Sequence, residues 1–221
     1  MNGPPFQVDP DFPFNSPPVA PFVVPGSYQV ALWSRVDGAF TRLGEPVRVS
    51  VVAADPPDAR PNGRTIATLT EQQRTAELER GVLGTSALID ETTTRVRFLK
   101  RAIDETPGAD TSLARRVREI ETRLRDAEEL LNGDPTRGRR NEASPPSLLG
   151  RLQNAIGNGW SGTLEAPTAA QQAQIDIVRG EFGRVLERVK QIVDVDLKAL
   201  ETAAEQAGVP WTAGRMPKPP M

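Results

Sequence analysis

Three arginines, Arg137, Arg139 and Arg140, crowd into the stretch Asn132-Gly133-Asp134-Pro135-Thr136-Arg137-Gly138-Arg139-Arg140-Asn141-Glu142, the densest basic cluster in the chain. Guanidinium groups beside free amides and a threonine can hold a carboxylate, a phosphate or an acidic sugar. The same arginines can instead pair with Asp134, Glu142 and the acidic surface of neighbouring helices. Carboxylates are the other candidate tools, in the pairs Glu128-Glu129, Asp104-Glu105 and Asp194 with Asp196. A glycosidase needs two carboxyl groups facing each other across a cleft, one with its pKa raised by an apolar pocket. Adjacent acids on helix faces read as solvated. No acidic loop shows the spaced oxygens of a calcium site.

The chain has no histidine and no cysteine. Ser-His-Asp and Cys-His catalysis, imidazole or thiolate metal sites, and a histidine pH switch are therefore excluded together. The tryptophans Trp33, Trp160 and Trp211 could form a sugar platform, but scattered single aromatics read more economically as packing. Gly157-Asn158-Gly159-Trp160 reads as a turn pinned by its indole, and Val209-Pro210-Trp211 as a tail folding back. The residues thus predict no catalytic, cofactor-binding or metal-ligating set.

A net charge of −2 argues against a nucleic-acid partner, whose phosphates call for a basic field. No segment approaches the ~20 apolar residues that span a bilayer, so no membrane insertion is expected. Met1-Asn2-Gly3-Pro4-Pro5-Phe6 lacks the basic region and apolar core of an export signal.

Five segments follow from composition and periodicity. Residues 1–26 form an extended arm rich in proline, in which Phe6, Phe12, Phe14 and Phe22 are interleaved. Four phenylalanines point to an arm lying in a groove of this chain or of a neighbour; the alternative is a disordered tail. Residues 27–54 read as two or three antiparallel strands, with Asp37-Gly38 as a hairpin turn and Val47-Arg48-Val49-Ser50-Val51 in strict alternation. They resemble part of an immunoglobulin-like sandwich but are too few to close one. Residues 55–67 read as a linker.

Residues 68–207 read as helix. Thr68-Leu69-Thr70-Glu71 and Thr70-Glu71-Gln72-Gln73 fit capping boxes that would open a first helix of roughly 54 Å. Its seam is Val82, Ile89, Val96 and Ile103, flanked by Leu78, Thr85, Thr92 and Leu99. Asp110 caps a second helix with the seam Leu113, Val117, Ile120, Leu124, Ala127 and Leu131, ended by Asn132-Gly133. Its outer face offers the pairs Glu119–Arg123 and Glu121–Arg125. A short helix follows Ser144-Pro145-Pro146. Thr168 opens a last long helix whose seam slips by a residue after Ile192, through Val193, Leu197, Leu200 and Ala204. The expected fold is α+β and mainly α: an elongated antiparallel three-helix bundle with a broken middle leg, preceded by the small partial sheet and the arm. Residues 208–221 are a proline-rich tail.

Pro5-Phe6-Gln7-Val8-Asp9-Pro10-Asp11-Phe12-Pro13-Phe14-Asn15, Pro25-Gly26-Ser27-Tyr28, Asn132-Gly133-Asp134-Pro135-Thr136-Arg137, Pro145-Pro146-Ser147-Leu148 and Pro210-Trp211-Thr212 together resemble the C-terminal region of large exported bacterial proteins. Those proteins carry BNR-type, sortilin-like β-propellers and are often labelled glycosyl hydrolases. The resemblance implies that this chain is the last part of such a protein, exported, and packed against an upstream β-propeller domain. It implies no catalytic residue in this chain. The expected function is a non-catalytic structural or interaction module. One alternative is part of a carbohydrate-active enzyme whose catalytic residues lie outside the chain. Another is a subunit that self-assembles with a neighbouring copy through its β edge and N-terminal arm.

Overall fold

A computed structural model of the chain describes residues 22–52, 63–140, 142–157, 160, 163 and 165–215. It is mainly helical, with a small antiparallel sheet region. Contacts divide it into two units, Met1–Ala76 with Gly159–Thr168, and Glu77–Asn158 with Ala169–Met221. Phe6, Phe12, Phe14, most of the expected arm, residues 55–62 of the expected linker and residues 216–221 of the tail lie outside the described residues.

Among the described residues the first unit carries four short strands, where the sequence suggested two or three. β1 (Gly26–Val30) pairs with β4 (Val47–Val51), and β2 (Trp33–Val36) pairs with β3 (Ala39–Arg42), both antiparallel. Asp37 and Gly38 both adopt positive φ, 49° and 83°, the conformation that a two-residue hairpin turn demands. The register runs Val30↔Val47 in one ladder and Trp33↔Arg42 in the next. Residues 43–46 therefore stand opposite only residues 31 and 32. This bulge divides what alternation suggested was one strand, Tyr28–Trp33, and the bond from Leu43 N–H to the Leu32 carbonyl (2.8 Å) bridges it.

α1 (Gly63–Asp104) runs through both units. It begins before the capping boxes, because Thr70 is already helical and donates its hydroxyl to the Ile66 carbonyl one turn back (2.8 Å). In the first unit Leu69 and Gln72 are buried. The Gln72 amide donates to the Trp160 and Thr163 carbonyls (2.7 and 2.9 Å), tying α1 to that turn. The buried Trp160 indole donates to the Glu165 carbonyl (3.0 Å), as a pinned turn requires; Asn158 and Gly159 lie outside the described residues.

The second unit is a helical bundle. Val82, Thr85, Ile89, Thr92, Val96, Leu99 and Ile103 of α1 are all buried, in alternating steps of three and four. Thr85 and Thr92 enter this apolar strip because each hydroxyl is satisfied within its own helix, by Gly81 O (2.8 Å) and Leu88 O (2.6 Å). α2 (Thr111–Asn132) is capped by Asp110, which accepts from Ser112 N–H, and is closed by Gly133 at φ 88°. The six residues of its expected seam are its buried residues. α3 (Pro135–Arg139) is a short helix in what read as a loop, started by the Asp134 cap and Pro135 at its first position. α4 (Leu148–Ile156) is capped by Ser147.

α5 (Ala169–Lys190), a π-helical segment (Gln191–Leu197) and α6 (Lys198–Gln206) form one continuous helix. α2 packs against α4, α5, the π segment and α6. Gly81 of α1 admits Phe182 of α5, whose ring would lie 3.0 Å from a Cβ at that position. Ser86 meets Asn132 (2.6 Å) and Lys100 meets Glu121 (2.9 Å), so α2 runs back along α1.

The π segment is the physical form of the seam's slip. Buried positions step from Val185 to Val189 to Ile192, then jump five residues to Leu197 before resuming at Leu200 and Ala204. An α-helix would carry Leu197 off the buried face; the wider π turn absorbs the extra residue. Deleting the half-exposed Val195 restores steps of four and three throughout. The deletion variant is expected to fold with a melting temperature within about 5 °C of wild type. Deleting Arg118 from the regular seam of α2 should instead cost more than ~3 kcal/mol. Thermal unfolding followed by circular dichroism distinguishes the two.

Candidate functional site

The arginine cluster sits on α3 and its C-terminal cap. Arg137 Nε lies 3.6 Å from Asp134 Oδ2, and its Nη1 donates to the Ala143 carbonyl (3.4 Å). Arg139 Nε donates to Pro135 O (3.3 Å), and Arg140 Nη1 lies 3.9 Å from Glu142. Each of the three turns back onto its own loop. The Asp134 carboxyl is held below its ordinary value, first by the backbone N–H of Thr136 and further by that of Arg137, the donors it caps.

The carboxylates of the three pairs face solvent or bond to neighbouring side chains. Glu128 accepts from Asn132 (2.6 Å), Asp104 and Glu105 are exposed, and Glu105 is engaged by Arg101 (2.8 Å). Asp194 pairs with Lys198 (2.9 Å) and Asp196 with Arg123 (2.5 Å). Burial pushes the Glu79 carboxyl on α1 upward. Among the described residues no group of three or more acids could hold a metal ion, and no helix is long and apolar enough to cross a membrane.

Ion pairs between helices replace the pairs read along α2. Glu121 turns to Lys100 of α1 rather than Arg125, and Arg123 turns to Asp196 of the π segment rather than Glu119. Arg95 of α1 joins Glu201 of α6 at 2.8 Å. A spacing rule along one helix carries no information about a partner so distant in sequence.

The tail folds back at Val209-Pro210-Trp211 as the sequence suggested, and it closes a clasp after α6 whose Arg215 sequence reasoning did not single out. Gly208 (φ 73°) reverses the chain, Val209 N–H bonds back to Ala204 O (3.0 Å), and Val209 is buried. Arg215 is buried too, donating to Pro210 O (3.0 Å) with its guanidinium 4.9 Å from the Trp211 ring centroid. Trp211 therefore has a cation over its ring, and its position after Pro210 was the only signal for the fold-back.

The most unusual surface is the ribbon β1–β4. Eleven of the eighteen exposed large apolar side chains among the described residues lie between Phe22 and Val52. Tyr28↔Val49 and Val30↔Val47 stand opposite each other, which places these side chains with Val51 on one face of the outer ladder. Val30 is 53% and Val47 64% exposed. Phe22, the one arm phenylalanine described, is also half exposed. Comparison with protein-family models, with characterised proteins and with solved structures finds no match to this chain.

Glu79 has a folded-state pKa above its ordinary 4.5. Its ionisation is thus disfavoured by folding, and stability falls as pH rises through the folded value. Glu79→Gln is expected to raise the melting temperature at pH 7. The gain should vanish below the ordinary value of 4.5, where the wild-type carboxyl is neutral in both states; melting curves at the two pH values check it.

Proposed function

We propose that this chain is a non-catalytic structural and interaction module that docks through the aliphatic face of its β ribbon onto a neighbouring folded domain. The observation that carries the reading is the exposed face of Val30, Val47 and Val49. A two-stranded ribbon is marginal in water by itself and is stabilised when a further layer covers its apolar side. The resemblance supplies the identity of that layer: an upstream β-propeller domain of an exported protein, with the ribbon as part of an immunoglobulin-like sandwich. In the same reading the helices form an elongated antiparallel three-helix bundle, with α2 and α4 as the two pieces of its middle leg. Any glycoside hydrolysis would belong to other domains of the parent, since the carboxylates here are spread over exposed helix faces.

A second reading, self-assembly through the strand edges, is favoured by one observation: β1 and β4 are each hydrogen-bonded on one side only among the described residues.

The test is titration of the chain with the folded domain encoded upstream in the same reading frame, comparing wild type with Val30→Lys/Val47→Lys. Both side chains are more than half exposed, so the double variant should melt within about 3 °C of wild type. It should lose at least ~10-fold in affinity. Undiminished binding by the variant would refute docking through this face.

A further inference from the structure

Two surfaces, neither involving the aliphatic face just described, complement each other in charge and each carry exposed apolar groups. The first is the hairpin tip. Trp33 stands opposite Arg42 and Arg35 opposite Phe40, so the four share one face, with rings and guanidiniums alternating across the strands. Trp33 and Phe40 are 54% and 55% exposed. The Arg35 guanidinium lies 5.4 Å from the Phe40 ring centroid. Arg42 pairs with Glu45 at 2.6 Å, but that carboxylate is almost fully exposed, and such surface pairs contribute little.

The second surface is a cleft of about 320 Å³ between the C-terminal end of α2 and the segment leading into α4. Leu130, Pro145 and Pro146 supply its apolar lining, and Asp126 and Glu129 its free charge. Neither carboxylate has a side-chain partner among the described residues, whereas Asp134 at the same cleft is engaged as the cap of α3. Leu130 is one of the few large apolar side chains the bundle leaves exposed.

We propose that the hairpin tip of one copy seats in the α2–α4 cleft of a second copy. Arg35 and Arg42 meet Asp126 and Glu129, and Trp33 and Phe40 pack on Leu130, Pro145 and Pro146. Arg and Trp are residue types that carry interface energy, and placing opposite charges at the edge of an apolar contact fixes its register. Because tip and cleft are different surfaces, each copy joined at one retains the other. The contact joins two different surfaces, so it extends to chains or closes to rings, of which a reciprocal dimer is the smallest.

Sedimentation of the full chain across concentration tests this directly. Wild type should grow in mass with concentration up to about 100 µM and shrink as salt is added. Arg35→Glu/Arg42→Glu and Asp126→Arg/Glu129→Arg should each weaken association at least ~10-fold, since like charges then face each other. Mixed one to one, the two variants should associate again, because every tip finds a cleft of opposite sign. All four positions are surface-exposed, and circular dichroism verifies that each variant is folded. A wild type that stays monomeric, or variants that assemble alone as wild type does, would overturn the proposal. Val30→Lys/Val47→Lys should assemble normally, so loss of domain docking and loss of self-association are read separately.

Discussion

One strip of side chains governs the bundle: the buried residues that α1 presents in steps of three and four from Val82 to Ile103. A helix of 42 residues is stabilised mainly by what covers such a strip rather than by its own propensities. Every partner must therefore keep its apolar face in phase with α1 over several turns. α2 does so without irregularity, because its buried positions already alternate by four and three. The continuous helix from Ala169 to Gln206 cannot, since its sequence carries one residue too many between Ile192 and Leu197. The π segment is the local cost of keeping that helix on the strip on both sides of the insertion. Phe182 shows the same dependence, since its ring sits so close to α1 at Gly81 that a Cβ there would press on it at 3.0 Å.

The polar groups that accompany the strip are arranged so that burial leaves them bonded. The seam threonines return their hydroxyls to carbonyls one turn back, which makes each behave as a β-branched apolar residue toward its neighbours. Around the strip, Lys100–Glu121, Arg123–Asp196 and Arg95–Glu201 join the helices pairwise. Pairs of this exposure add little stability. Their value is directional, because a helix shifted by one turn along its neighbour would break all three. The clasp from Gly208 to Arg215 adds a buried guanidinium that makes one hydrogen bond and lies over an indole. The Glu205 carboxylate, 3.9 Å away, supplies the counter-charge that a buried guanidinium needs.

Periodicity made the bundle readable before the structure was seen. The α2 seam, its Asp110 and Gly133 ends and the slip after Ile192 all come from local spacing, which the backbone geometry of a helix converts directly into a face. The start of α1 was misread because capping boxes are also acceptable helix interior once a preceding turn exists, as Thr70 and Ile66 show. Strand breakage at the bulge depends on how many residues the partner strand has opposite, which one strand's alternation cannot reveal. α3 was hidden in a glycine- and arginine-rich stretch whose only local signal was Asp134-Pro135. The arginines there were legible as a cluster, but not as three side chains each turned onto its own loop.

The contrast between the two kinds of surface bears on where function can reside. The helices bury their apolar strips so fully that few large apolar side chains remain exposed on them, and their carboxylates are spread over exposed faces or committed to ion pairs. The sequence offers those helices neither imidazole nor thiolate. The ribbon is the opposite case: residues 22–52 expose most of the uncovered large apolar side chains among the described residues, on ladders too short to be stable by themselves. Free energy still to be gained by burial is therefore concentrated on the ribbon and not on the helices. A partner that covers the valines of the outer ladder gains hydrophobic stabilisation with little charge to desolvate, whereas one that meets the arginine-bearing tip must supply carboxylates. On the proposals above, the two parts of the ribbon meet different surfaces.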